Sequence, residues 1–261
     1  MFPILFESGP IIVPAWHAFF VLGALGSYFL LHRLNTTSET NQARARDLDG
    51  LYLATYLGGL LGARILNIFV LEDYASTSEF LSLSFSLGGM TFFGGMILGG
   101  LSGLLYSRIK KLDSSQLFDI GSVALFLGVG VGRIGCFLNG DDYGVPLANQ
   151  NASSWWGVVF PNLEDNLKRY PTQLFEAGAC LLMVFILSVF FNRIRSRFFV
   201  GAVGVLAMSG YAISRFCLEY FRGDDRGYLI TDVLSTSQFL SVCTLVLMAL
   251  IAKQRLQTQP S

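Results

Sequence analysis

Charge is scarce in this 261-residue chain: Asp, Glu, Lys and Arg together make up 14% of it, and 18 basic residues cancel 18 acidic ones to a formal net charge of zero. A neutral chain carries no electrostatic footprint for nucleic acid, and no such partner is expected. Cysteine is also sparse. Cys136, Cys180, Cys217 and Cys243 lie far apart, contain no C-x-x-C pair, and so offer no redox or metal spacing. All sit in or at the end of apolar runs, and Cys180, Cys217 and Cys243 are expected to be small buried hydrophobes. No basic segment precedes the first apolar run, so Met1 to Ala15 does not read as a cleavable signal peptide. No internal repeat or low-complexity stretch is evident, and a single domain over 1–261 is expected.

What fills the chain instead is hydrocarbon. The apolar fraction is 52% and the mean hydropathy is +0.54. A soluble protein of this length would need an implausibly large core to hide that much apolar surface, so lipid is the expected solvent. The 28 glycines and 23 phenylalanines supply the small residues that let membrane helices approach and the large ones that fill gaps.

Crossing a bilayer takes about 20 mostly apolar helical residues, and the sequence offers seven such runs, at roughly 15–32, 50–71, 88–107, 117–138, 172–191, 199–220 and 233–252. The expected fold class is therefore an all-α polytopic membrane protein of seven transmembrane helices. Basic residues near helix ends set orientation. Arg33, Arg44, Arg46, Arg108, Lys110, Lys111, Arg193, Arg195, Arg197, Lys253 and Arg255 fall in alternate connections and the C-terminal tail, against only Lys168, Arg169, Arg222 and Arg226 in the others. This places the N-terminus outside and the C-terminus in the cytoplasm. The longest outer connection, residues 139–171, is rich in Asn, Asp, Gly and Trp and is expected to form a small extracytoplasmic cap, with Trp155 and Trp156 at the interface.

Three basic residues, Arg64, Arg133 and Arg215, remain inside or at the ends of spans, together with the carboxylates Glu176 and Glu219. A charge at that depth costs at least about 2.5–3.5 kcal/mol on insertion scales, so it is paired, faces a cavity, or does chemistry. Internal neutralisation is the plain reading, since Arg215 and Glu219 stand four apart on one helix face. The functional reading is an anionic headgroup site. Arginine presents a planar, permanently charged fork that matches phosphate, and Arg133, Arg215 and Arg222 all lie toward the outer ends of spans. Gly128, Gly130, Gly132 and Gly135 allow close backbone approach beside Arg133. Their G-x-G spacing is no dinucleotide fingerprint, because no strand precedes it.

These residues also fall in blocks. Gly132-Arg133-Ile134-Gly135-Cys136-Phe137-Leu138-Asn139-Gly140-Asp141-Asp142-Tyr143-Gly144 resembles the signature of the prolipoprotein diacylglyceryl transferases, G-R-x-G-N-F-x-N-x-E-x-x-G. Gly88-Gly89-Met90-Thr91-Phe92-Phe93-Gly94-Gly95 resembles the family's G-G-M-S-F-H-G-G. Arg169-Tyr170-Pro171-Thr172-Gln173-Leu174-Phe175-Glu176 resembles R-H-P-S-Q-L-Y-E, and Arg215-Phe216-Cys217-Leu218-Glu219-Tyr220-Phe221-Arg222 resembles R-x-x-x-E-F-x-R. The likeness runs in order from about residue 9 to residue 250.

The resemblance implies a seven-helix enzyme of the bacterial inner membrane. Its reaction moves the diacylglyceryl group of phosphatidylglycerol onto the thiol of a lipobox cysteine in a prolipoprotein, forming a thioether and releasing glycerol 1-phosphate, with no cofactor or metal. Residue by residue, Arg133, Arg215, Glu219 and Asp141 would take catalytic positions. Asn139, Gly144, Arg222 and Glu176 would take substrate-binding ones. The chain departs from the family's pattern at Phe93, where a histidine is usual, at Cys136, where an asparagine is usual, and at Trp16, which stands in for a tyrosine beside His17. Those changes bear on proton transfer: Asp141, Glu176 and His17 are the candidate bases, and Cys136 is expected to be packing.

The competing reading is a diverged, non-catalytic relative that binds phospholipid or prolipoprotein. A transporter would be expected to show a second half resembling the first, and none is apparent.

Overall fold

The computed structural model describes residues 1–9, 11–38, 43–71, 92–150, 157–163, 165–223, 228–230 and 234–258, with the backbone alone at 11, 69–71, 92–93 and 228–230. It is mostly helical: α1 (Ala15–Thr37), α2 (Ala45–Leu71), α3 (Phe92–Ile109), α4 (Ser114–Asn139), α5 (Thr172–Val189), α6 (Phe191–Arg197), α7 (Ala202–Leu218) and α8 (Thr236–Gln257). Helix is what such a composition requires, because hydrocarbon cannot satisfy backbone N–H and C=O groups and a helix satisfies them internally.

Among the described residues, five helices are long and apolar enough to cross a membrane, and α6 with α7, bent by 110°, makes a sixth if the pair is one span. The chain is a multi-pass membrane protein. The third expected span begins on residues outside those described, and its described part is α3. Helices α1, α2 and α8 outrun their apolar windows, since polar turns at 33–37, 45–49 and 253–257 stay helical.

Large apolar side chains face outward all along these helices, with Phe29 and Phe185 each 67% exposed. In water such exposure costs about 25 cal/mol per Å²; against lipid tails it costs nothing comparable. The cysteine expectation is corrected on the same ground. Cys180 is buried, but Cys217 and Cys243 are exposed on outward helix faces, where an apolar thiol meets hydrocarbon as comfortably as it would a core.

Among the described residues, three short antiparallel hairpins interrupt the helices: β1 (Ile4–Ser8) with β2 (Ile11–Pro14), β3 (Val158–Val159) with β4 (Lys168–Arg169), and β5 (Tyr228–Ile230) with β6 (Leu234–Ser235). Strands of two to five residues leave too little alternation to read from sequence. The first hairpin is closed at its open end by Ala15 N–H to the Pro3 carbonyl at 2.8 Å, and tied to α4 by Phe2 N–H to the Leu138 carbonyl at 3.2 Å. The N-terminus therefore lies at the same end of α4 as Arg133.

The chain divides into two compact units, Ser38–Leu117 and the remainder, Met1–Thr37 with Phe118–Ser261. In the first, α2 and α3 meet backbone to backbone: a Cβ on Gly62 would stand 2.3 Å from the Gly94 carbonyl oxygen, and one on Gly94 2.1 Å from that of Gly62. No larger residue fits this crossing, which gives the Gly94-Gly95 pair a packing role. Arg64 lies in α2 and is buried.

In the larger unit, Ile120, Val123, Phe126, Val203 and Ala207 form a buried core, and Ser27 Oγ donates to the Ala124 carbonyl at 2.7 Å, joining α1 to α4. A third internal carboxylate, absent from the sequence reading, lies here. Asp119 of α4 is fully buried, accepts the Gly201 and Gly204 backbone N–H groups at 2.8 Å each, and pairs with Arg195 Nε at 3.2 Å. It satisfies the first amides of α7, just after the left-handed Gly201 (φ +112°) that opens the helix.

Candidate active site

Helix α4 carries Arg133 two turns before its end and then stops at a tight turn. Gly140 adopts φ +88°, and the Gly140 and Asp141 N–H groups both bond the Cys136 carbonyl, at 2.9 and 3.2 Å. Asp142 follows with φ +59°, a left-handed conformation that a short carboxylate residue tolerates and most others do not. That backbone turns the Asp142 carboxylate toward two arginines, Oδ2 on Arg133 Nη1 and Oδ1 on Arg222 Nη2 at 2.9 Å.

The next residues run between two other strands of chain. Gly144 N–H bonds the Tyr170 carbonyl at 3.0 Å, Val145 N–H the Phe221 carbonyl at 2.9 Å, and Gly223 N–H the Tyr143 carbonyl at 3.0 Å. A Cβ on Gly144 would sit 2.5 Å from the Tyr170 oxygen and 2.7 Å from the Phe221 oxygen. Glycine at this position is thus what lets the segment after α4, the entry to α5 and the exit from α7 converge. Arg169 closes over the outside, its guanidinium 5.1 Å from the Tyr143 ring and bonded to the Asp165 carboxylate. That bond holds the exposed Asp165 carboxyl below its ordinary range.

Helix α5 begins after Pro171, with Thr172, Gln173 and Glu176 on its buried face. Thr172 Oγ1 donates to the Asp142 carbonyl at 2.9 Å and Gln173 Nε2 to the Asp141 carbonyl, so the helix start fixes the turn that carries both aspartates. Glu176 is not in the first turn and does not act as an N-terminal acid. It points inward, Oε2 at 3.0 Å from Arg133 Nε and Oε1 accepting from the Tyr211 hydroxyl at 2.9 Å.

From α7, Tyr211 and Arg215 share one face, and Glu219 extends it into the 3₁₀ turn 219–221. Arg215 Nη2 lies 3.0 Å from Glu219 Oε2 and donates to Ser237 Oγ at 3.0 Å. The contact with Glu219 is an ion pair without hydrogen-bond alignment. The Glu176 carboxylate and the Tyr211 phenol each interact electrostatically with both Arg133 and Arg215. The two arginines belong to one cluster.

Three guanidinium groups and three carboxylates, Asp142, Glu176 and Glu219, thus share one site, and the side chains of Arg133, Arg215 and Arg222 are 12%, 8% and 3% exposed. Removing one member of a buried pair costs about 3–5 kcal/mol, so each charge holds its neighbour in place. Arg215 leaves a donor over. Arg215 Nη1 is buried and has no hydrogen-bond acceptor among the described residues. Such an unmet N–H costs about 1–3 kcal/mol until an acceptor arrives, and an anion with several oxygens would supply it.

The sequence profile of the prolipoprotein diacylglyceryl transferases matches residues 3–253. The chain belongs to the prolipoprotein diacylglyceryl transferase family. It is 32% identical over 254 residues to the phosphatidylglycerol--prolipoprotein diacylglyceryl transferase of Wolbachia sp. subsp. Drosophila simulans, covering 95% of this chain and 93% of the relative. The transferase of that name from Clostridium tetani is 31% identical over 95% of both chains. The one from Bordetella parapertussis is 29% identical over 92% of this chain and 90% of its own.

Against the transferase family's blocks, the structure gathers Arg133, Glu176, Arg215, Glu219 and Arg222 into one cluster and sets Gly144 at the backbone crossing beside it. Asn139 and Asp141 stand at its edge, where Asn139 Nδ2 donates to Asp141 Oδ2. The sequence reading missed Asp142, Tyr211 and Ser237. Tyr211 was findable, four residues before Arg215 on the same face. Asp142 was not, because only the left-handed turn aims it inward. Cys136 is half-buried one turn after Arg133. His17 is exposed on α1, edge-on to Trp16 with ring centroids 5.0 Å apart. Phe93 lies in the smaller unit, and its side chain is outside the described residues, as are Gly88 to Thr91.

Proposed function

We propose that this protein transfers the diacylglyceryl group of phosphatidylglycerol to the lipobox cysteine of prolipoproteins, the first step of bacterial lipoprotein maturation. The observation that carries this reading is the buried arginine cluster with an unanswered donor on Arg215. In the reaction the cysteine sulfur forms a bond to the glyceryl carbon bearing the phosphate, the carbon–oxygen bond to that phosphate breaks, and glycerol 1-phosphate leaves with the electron pair. The thiol proton passes to a base.

Each site residue has work suited to its surroundings. Arg133 and Arg215 clamp the phosphate and stabilise the charge that grows on it as the bond breaks. The same positive field favours the thiolate, the form that attacks. Glu219 and Ser237 orient Arg215, and Glu176 and Asp142 orient Arg133. Arg222 adds positive charge through Asp142, and Asn139 donates to a phosphate or glycerol oxygen. Asp141, more exposed than Asp142 and hydrogen-bonded to Asn139, accepts the thiol proton. Gly144 keeps the crossing narrow enough to hold these groups together.

The topology that goes with this chemistry is a single integral domain of seven spans in the bacterial inner membrane, N-terminus outside and C-terminus cytoplasmic, with residues 139–171 as an extracytoplasmic cap. The distribution of basic residues supports it, and so does the tie between the N-terminal hairpin and the Arg133 end of α4.

Cells depleted of their own transferase provide the test. Wild type should restore lipidation of a lipobox cysteine, and Arg133→Ala and Arg215→Ala should insert normally yet restore none. Normal modification by both variants would remove the arginine clamp. No modification by well-expressed wild type would favour a non-catalytic, lipid-binding relative.

A further inference from the structure

Helix α6 meets α7 at 110°, so while α7 runs across the membrane α6 lies close to its plane. Its inner face is fastened to the bundle. Phe191 and Arg195 are buried, Arg195 pairs with Asp119 of α4, and its guanidinium stands 5.2 Å from the Phe191 ring. Asn192 Nδ2 adds a bond to the Thr37 carbonyl at the end of α1, at 2.9 Å.

The outer face has no such partners. Arg193 and Arg197 stand four apart on the side of the helix opposite Phe191 and are exposed, and among the described residues neither pairs with a carboxylate. A groove of about 520 Å³ follows this face, lined by Phe190, Arg193, Ile194, Ser196, Arg197 and Phe198. Phe190 and Phe198 are 44% and 48% exposed. Two guanidinium groups and two bare rings therefore share one groove.

The groove lies far from the Arg133 cluster. From Glu176 to Val189 at the end of α5, and likewise from Arg133 back to Asp119 along α4, the helix rises about 20 Å at 1.5 Å per residue. That is most of the roughly 30 Å hydrocarbon core, so α6 faces the other leaflet. A free phosphate there would answer the arginines and leave the rings bare. A neutral lipid would cover the rings and leave the charge unanswered. An anionic phospholipid does both, since arginine's planar fork matches its phosphate and an interfacial helix buries its apolar side chains at the acyl boundary.

We propose that this groove binds an anionic phospholipid of the leaflet opposite the Arg133 cluster, its phosphate between Arg193 and Arg197 and its upper acyl carbons against Phe190 and Phe198. The site stands on the geometry of α6, and only its naming as cytoplasmic rests on the proposed topology. The lipid is a structural ligand and not a substrate, because the groove holds no reacting group. Its occupancy holds α6 in the membrane plane and so braces the bend into α7.

The test uses full-length protein in a neutral detergent doped with phosphatidylserine, an anionic lipid that is not the proposed substrate. It should raise the unfolding temperature. In the double variant Arg193→Gln/Arg197→Gln the mole fraction giving half of that rise should increase about 30-fold, roughly fivefold for each arginine. Arg193→Lys/Arg197→Lys, which keeps the charge and loses the fork, should fall between the two. Equal curves for wild type and the glutamine variant would overturn the site. Inorganic phosphate that stabilises as well as the lipid does would reduce it to a free-anion site and overturn the lipid.

A second readout locates the lipid. Phosphatidylserine carrying a diazirine beside its glycerol should label residues 190–198 in wild type and lose about tenfold of that labelling in the glutamine variant. Labelling confined to the Arg133 end would sink the proposal. Transfer from phosphatidylglycerol to a lipobox peptide should stay within about threefold of wild type in the glutamine variant; turnover that fell in step with the labelling would make the groove part of the substrate path and overturn its separate role. Labelling at 190–198 in a protein that lipidates no peptide would support this site and count against the transferase reading.

Discussion

Replacing Glu176 by glutamine tests whether the cluster works as one unit. The side chain is 2% exposed and serves two donors, Arg133 Nε at 3.0 Å and the Tyr211 hydroxyl at 2.9 Å. Glutamine keeps the shape and one acceptor but removes the charge, and its amide hydrogens must face one of the two donors. Truncating one member of a buried pair costs about 3–5 kcal/mol. Arg133 keeps Asp142, so the expected loss is smaller, about 2–3 kcal/mol. If that loss appears as misplacement of the clamp in the transition state, kcat/KM falls about 30- to 160-fold. The assay is transfer of a labelled diacylglyceryl group to a lipobox peptide, with thermal unfolding in the same detergent as the control for folding. Tyr211→Phe should be milder, and the double variant should lose less than the sum of the two, because both act through one hydrogen bond. A Glu176→Gln enzyme within threefold of wild type in turnover and unchanged in unfolding temperature would refute the reasoning.

Other expectations follow from single contacts. Gly144→Ala places a methyl within 2.7 Å of two carbonyl oxygens; overpacking of this kind costs about 1–3 kcal/mol, and turnover should drop at least about tenfold. Gly178→Ala in α5, where an added Cβ meets nothing within 4 Å, should be neutral in the same assay. Asp119→Ala removes two amide acceptors and an ion pair, a loss of about 2–4 kcal/mol that should appear as a lower unfolding temperature. Asp165 is held below its ordinary range by Arg169. Whatever stability this pair adds is fully present above the unfolded carboxylate's pKa and disappears as pH falls through the lowered folded value. Hydrogen exchange in residues 165–170 should therefore be insensitive to that pair between pH 5 and 8 and rise only in stronger acid; loss of protection already at pH 5 would contradict this.

The helices were legible because lipid imposes a simple rule, a long apolar run closed on its own hydrogen bonds, and each expected span has a helix at or overlapping its place. The arginines were legible for the opposite reason. A charge in an apolar run stands out, and its cost demands a partner, which is how Arg133, Arg215, Glu176 and Glu219 were marked before any contact was known. Asp119 escaped because it sits near the start of a span, where a carboxylate reads as a surface group, whereas the fold buries it completely against the amides of α7. The hairpins escaped because strands of two to five residues leave too little alternation to read.

Composition and periodicity by themselves determined that the chain lives in a bilayer, roughly where its apolar helices lie, and which charges stand out among them. Those outcomes depend on the solvent and on residues near one another in sequence. Which carboxylate serves which arginine was decided only in three dimensions. Asp142 rather than Asp141 bridges Arg133 and Arg222 because a left-handed turn, pinned from α5 by Thr172 and Gln173, points one side chain inward and leaves its neighbour at the edge. Ion pairs fall off within a few ångströms, and whether groups tens of residues apart come that close is a property of the packed helices.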